Sequence, residues 1–375
     1  MRRLNWLVLL LVPLFTMTIA FSEEQPLLSL DAFWNTGELE EAIPEEGKDL
    51  LTEWGVDGFS EESLLSLTPE QFLQTVIEQL KFGIGAPARI LGLLLGAAVL
   101  MALVAGIQGV ADASTLRPVY GMAAVLCVTA SVGPRVLLCL RDSSEVLQAA
   151  SGFLSAYIPI LTGILLTSGR SATAVVYNSM MFLGCEAAVL LMTTVFLPAT
   201  GILMALSAIA AASGENRLGA MVKMLRQLAT WALGLLLVVF IGLTMLQTSV
   251  SAAADTVGAK SAKYLIGSLI PVVGSSISDA VMAARGALAL LHSTVGGIGI
   301  VVLAAIFLPP VVQVLLWYGT FRFGGFLCGI LDCSALADLS DGMASAFALM
   351  LSLLLAFLVM AVVCTAMILS MGGVS

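Results

Sequence analysis

The sequence predicts an all-α fold: a polytopic bundle of about seven to nine transmembrane helices behind a small acidic extracytoplasmic segment. Three observations carry that reading. Of 375 residues, 59% are hydrophobic and 11% charged, against roughly 45–50% and 25% in soluble domains. The mean hydropathy is +1.04, and so few charges cannot clothe a water-facing surface. Second, the net charge of −9 is unevenly spread: residues 23–82 hold fifteen acids against two bases, and 83–375 hold ten acids against twelve bases. The acidity belongs to one short segment, and the rest is a nearly neutral apolar body. Third, the body's runs are apolar on every side, where a membrane barrel would alternate. About 290 such residues, at about 20 per span, set the expected count.

Residues 1–22 read as a secretory signal, with Arg2 and Arg3 as the positive region, 4–19 as the apolar stretch, and Ala20 and Ser22 as small residues near a cleavage point. Cleaved or kept as an anchor, it leaves the amino end cytoplasmic and exports residues 23–87. That segment carries one well-signalled helix. Thr68 is the expected N-cap, Pro69 the first helical residue, and Gln71 completes a capping box. Leu67 and Phe72 stand where a hydrophobic staple packs. Leu73, Val76, Ile77 and Leu80 form one apolar stripe, suited to the outer membrane surface or a partner. Gly83, Gly85 and Pro87 then end the helix.

The membrane domain is expected over 88–375. A first span at 88–110 contains Gly92-x-x-x-Gly96, a spacing that allows close helix approach. A second at 118–140 contains Gly133-Pro134-Arg135. Arg141, Asp142 and Glu145 form a polar connection to a third at 152–168. The apolar run 174–212 is too long for one span, and Pro198 with Thr200-Gly201 divides it into a hairpin. The following stretch, 213–227, holds Arg217, Lys223 and Arg226 against Glu215, which places it on the cytoplasmic side. Further spans are expected at 228–249, 286–308, 311–331 and 342–369, with Pro309-Pro310 and the acidic Asp332, Asp338 and Asp341 as breaks. Between 228–249 and 286–308 lies 251–285, which reads as a re-entrant or interfacial helix-turn-helix around Pro271 and Gly274.

Several activities are excluded. No Gly-x-x-x-x-Gly-Lys-Ser/Thr loop occurs, so the chain is not expected to hydrolyse nucleotides. No basic aromatic patch suits nucleic acid. Six cysteines show no paired spacing, and one histidine, His292, cannot build a multi-histidine metal site. No catalytic, cofactor or metal-binding residues are expected, and the chain does not read as an enzyme.

Charges inside hydrocarbon are costly, about 2.5–3.5 kcal/mol at a helix centre, so each one is a functional candidate. Glu186 is the clearest, with Asn178 at helical spacing on its face. It reads as a proton or ion relay or a polar pore lining, or else as a packing partner of Arg135 or Arg322 or a glutamic acid kept neutral. The second candidate is 251–285 with Asp255, Lys260, Lys263, Pro271, Gly274 and Asp279. Small residues, paired charges and a Pro-x-x-Gly break suit either a pore-associated or a partner-docking element.

At these residues the chain resembles a known family. Leu246-Gln-Thr-Ser-Val-Ser-Ala-Ala-Ala-Asp255, Lys260-Ser-Ala-Lys263, Ile270-Pro-Val-Val-Gly274 and Ser278-Asp279-Ala280 are similar to the characteristic region of stage III sporulation protein AE. The layout of signal, acidic exported segment and polytopic body is similar too. The resemblance implies a component of the mother-cell membrane around the forespore in endospore formers. It implies a secretion-like channel complex with other stage III A operon proteins, including a separate ATPase and ring-forming single-span proteins. It also implies an indirect link to the forespore's stage II protein Q, and leaves open whether a conduit lies within one chain or between copies in a homo-oligomer. It supplies no catalytic residues. A secondary transporter using Glu186 and a non-conducting membrane scaffold are the rival readings.

Overall fold

The computed structural model describes residues 41–56, 68–108, 117–214, 216–269 and 274–372. The signal region and Leu67 lie outside the described residues. Nine α-helical stretches are named here in chain order: α1 (Glu45–Glu53), α2 (Pro69–Gly83), α3 (Gly85–Gln108), α4 (Arg117–Thr167), α5 (Ser171–Leu191), α6 (Leu197–Ser213), α7 (Asn216–Leu269), α8 (Gly274–Ile330) and α9 (Ser334–Gly372). Among the described residues, six helices are long and apolar enough to cross a membrane. By that composition the chain is a multi-pass membrane protein.

Helix α2 starts as its sequence requires. The Thr68 hydroxyl accepts from the Gln71 N–H at 3.4 Å, and the Gln71 side-chain oxygen accepts from the Thr68 N–H at 3.0 Å. Its packed side differs from the expected stripe. Phe72, Val76 and Leu80 lean on the core, while Leu73 and Ile77 are exposed. The short acidic helix α1 explains the rotation. Buried Trp54, just beyond α1, donates its indole N–H to Thr75 at 3.0 Å and sits 5.8 Å from the Phe72 ring. Helix α2 ends at Gly83 as expected, with Ile84 as its C-cap, and α3 follows at once from Gly85, the Ile84 N–H to Leu80 and Ala88 N–H to Ile84 bonds bridging the two.

The expected seven to nine spans reduce to six among the described residues because three expected connections are helical. Arg141, Asp142 and Glu145 lie in the middle of α4, not in a loop, and Pro134 lies inside the same helix. Arg141 and Glu145 pair at 2.7 Å as i, i+4 neighbours, which suits a helix and not a turn. The 174–212 run forms no hairpin. A single π-helical turn, Met192–Phe196, joins α5 to α6 without reversing the chain, and Pro198 occupies the first turn of α6. There a proline costs no hydrogen bond. Pro309 and Pro310 likewise lie inside α8. Asp338 and Asp341 are helical in α9, so the acidic connection shrinks to the turn around Asp332.

The helices α8 and α9 form the central antiparallel pair. Trp317, Phe321 and Phe347 stack with centroids 5.6–6.1 Å apart, and Phe307 meets Phe357 at 5.9 Å. Helix α4 lies along α8, joined by Tyr157 donating to the Val295 carbonyl at 3.2 Å. The α5–α6 helix runs back along α4 after the turn at Gly169, whose φ of 77° suits glycine. Helix α7 is the least enclosed of the long helices and α9 the most.

Candidate functional site

The structure separates the sequence-predicted residues into distinct places. Asp255 is the most firmly held. One carboxylate oxygen accepts the Ala172 N–H at 2.9 Å and the other accepts the Thr173 N–H at 2.8 Å. These are orphan donors of the first turn of α5, whose own N-cap, Arg170, makes no side-chain cap. Asp255 therefore caps a helix from another helix, with its negative charge at the positive end of the dipole. Upstream on α7, Thr244, Thr248 and Ser251 are buried on a helical face, and each hydroxyl donates to a carbonyl of its own helix.

The segment 251–285 runs from one long helix into the next, with 270–273 outside the described residues. Its first part is the end of α7 and its last part is the start of α8. Lys260 is exposed. Pro271 lies outside the described residues, as do the side chains of Lys263 and Asp279, and Gly274 opens α8.

Glu186 sits on the outer face of α5 and accepts the Ser151 hydroxyl of α4 at 3.2 Å. Neither proposed arginine is its partner. Arg322 pairs with Asp341 at 2.8 Å, both groups exposed. Arg135 lines an open cleft of about 680 Å³ with Glu46, Asp49 and Glu53 of α1, Asp142 of α4 and Gln313 of α8. Asn178 is exposed on α5, two turns before Glu186. Five cysteines are buried, and Cys127 is exposed.

The comparisons with known proteins fit this frame. The family model described as stage III sporulation protein AE matches residues 57–372. The chain belongs to the stage III sporulation protein AE family. A curated relative, stage III sporulation protein AE of Bacillus subtilis (strain 168), is 25% identical over 286 residues, covering 76% of this chain and 70% of the relative. No solved structure matches. This is therefore a family member whose six long apolar helices make it a multi-pass membrane protein.

The match includes α2 to α9 and every candidate residue above. One group escaped the sequence reading. Arg141, Glu145, Gln148, Gly152 and Ser155 recur at i, i+4, i+7, i+11 and i+14 along one outward face of α4. That period is visible in the sequence only when 141–152 is read as helix, and its charges argued for a connection.

Proposed function

We propose that this family member is a mother-cell membrane subunit of a secretion-like channel complex between mother cell and forespore, acting as export platform or conduit component. The observation that carries the reading is the family match across nearly the whole membrane body. Partners would be other stage III A operon products, including a separate ATPase and ring-forming single-span proteins, with the forespore's stage II protein Q reached indirectly. The acidic segment would face the intermembrane space. Its helix α1 presents Glu46, Asp49 and Glu53 to a cleft shared with Arg135, which supports an aqueous position. Helices α7 and α8 would contribute the 251–285 region to the conduit or to the partner ring.

Two measurements test it. Affinity purification of the chain from sporulating cells should recover the other operon products. Charge reversal at Lys260, Lys263 and Asp279 should stop late forespore gene expression while the protein stays in the membrane. Normal spores from that triple variant would overturn the regional assignment.

A further inference from the structure

The bundle is too long for one bilayer. The candidate spans in α4, α5–α6 and α7 cover 49, 43 and 41 residues, about 60–75 Å at 1.5 Å per residue, against about 30 Å of hydrocarbon. Its two halves differ in charge. In one, the segments 146–167, 171–192, 237–254, 293–308 and 351–369 together carry a single charge, Glu186. They lie side by side: Ser151 bonds Glu186, Tyr157 bonds Val295, Phe307 meets Phe357, and Gly184 abuts the Phe240 ring. The other half carries Arg89, Arg117, Arg135, Arg217, Lys223, Arg226, Arg322, Asp338 and Asp341. A bilayer fits the first half.

Within that half the outer surface is of two kinds. Helix α7 shows Val238, Leu243, Leu246 and Val250, all at least half exposed, which suits lipid. The paired helices α4 and α5 show something else. Along α4, Arg141, Glu145, Gln148, Gly152, Ser155, Pro159 and Thr162 fall on one helical face and are exposed or half-buried. Arg141 and Glu145 stand at its mouth, and the 22-residue run spans about 32 Å, one hydrocarbon thickness. Glu186 joins this face through Ser151, which lies between Gln148 and Ser155, and Asn178 and Ser179 continue the polar character on α5. Val175, Phe182 and Pro159 are its apolar members, and Leu183 and Leu190 flank Glu186 on the lipid side. Against lipid, the carboxylate of Glu186 would be costly to insert, with the amides of Gln148 and Asn178 adding to that cost.

We propose that the α4–α5 seam is a water-lined wall crossing the charge-poor half, so that small hydrophilic solutes pass along Gln148, Gly152, Ser155 and Glu186. What travels there rests on the channel reading above; whether water is there does not.

The test labels single cysteines in the full-length chain in its native membrane, in a Cys127→Ser background whose remaining five cysteines are buried. Gly152→Cys is favoured because nothing lies within 4 Å of a Cβ there. Only the thiolate reacts, and it needs water, so Gln148→Cys, Gly152→Cys and Ser155→Cys should react with a charged, membrane-impermeant thiol reagent at least about tenfold faster than Val238→Cys and Leu246→Cys. Equally slow reaction at all five positions would overturn the proposal. So would unreactive seam cysteines that form disulfide-linked dimers on oxidation, which would mean a dry interface between copies. Loss of sporulation partners with labelling intact would count against the channel reading and leave the wet seam standing.

Discussion

Asp255 holds two backbone N–H groups of α5 with one carboxylate, so its substitution should be read as the loss of a helix cap rather than of a surface charge. Removing a cap costs typically about 1 kcal/mol, and leaving half-buried donors unmet raises the loss, so Asp255→Ala should lower stability by about 1–3 kcal/mol. Asp255→Asn keeps one accepting oxygen and should lose less. Thermal unfolding of the purified protein in detergent gives the ranking, and an alanine variant as stable as the parent would refute the cap. Close approach makes a second residue-scale prediction. A Cβ on Gly299 would fall 2.3 Å from the Tyr157 ring, whereas Gly152 has open space. Gly299→Ala should therefore cost about 1–3 kcal/mol through overpacking, and Gly152→Ala should cost little by the same measurement. In the sequence, Asp255 stood out by its charge among small residues, but its partner was invisible. The N-terminus of α5 lies over eighty positions away, and only the fold brings it there.

The elements were legible where the signal was local. The Thr68–Gln71 box, the periodic body and the apolar lengths all appear in the helices. The errors came from reading polar or proline residues as chain reversals. Pro309 and Pro310 lie within a helix because a buried helix can satisfy the freed carbonyls by neighbouring groups, and Arg141 with Glu145 stabilises a helix as an i, i+4 pair. That pair is well exposed at both ends, so solvent screens it and it contributes little to stability. Helix α2 shows how tertiary contact overrides amphipathic spacing. Phe72 faces Trp54, so Phe72→Ala should loosen the α1–α2 unit by about 1–2 kcal/mol of lost apolar burial. Exposed Leu73→Ala should not. Limited proteolysis of membranes carrying each variant checks the difference: faster cutting between α1 and α2 is expected for Phe72→Ala alone.

At the scale of the molecule, composition specified a membrane protein and could not specify how the chain meets the bilayer, because charge-poor and charge-bearing stretches alternate along the same helices. Packing sorts them into two halves, and the sorting has a topological consequence. If all six long helices crossed, residues before α3 and residues after α9 would share a face, and the basic stretch at Arg217, Lys223 and Arg226 would be cytoplasmic, as the positive-inside bias prefers. If the bilayer occupies only the charge-poor half, α3 lies outside it and five helices cross: α4, α5, α7, α8 and α9. The amino-terminal segment and the carboxyl end then lie on opposite faces, and with the acidic segment exported the carboxyl end is cytoplasmic. That arrangement sets the basic stretch against the usual bias, a cost offset by keeping Arg322, Asp341, Lys223 and Arg226 out of hydrocarbon. A reporter fused after Ser375 decides between them. Cytoplasmic reporter activity, with a tag at the start of α1 reached by protease from outside, is the expected result. An exported carboxyl end would return α3 to the membrane and remove the charge-poor half as the sole bilayer-facing zone.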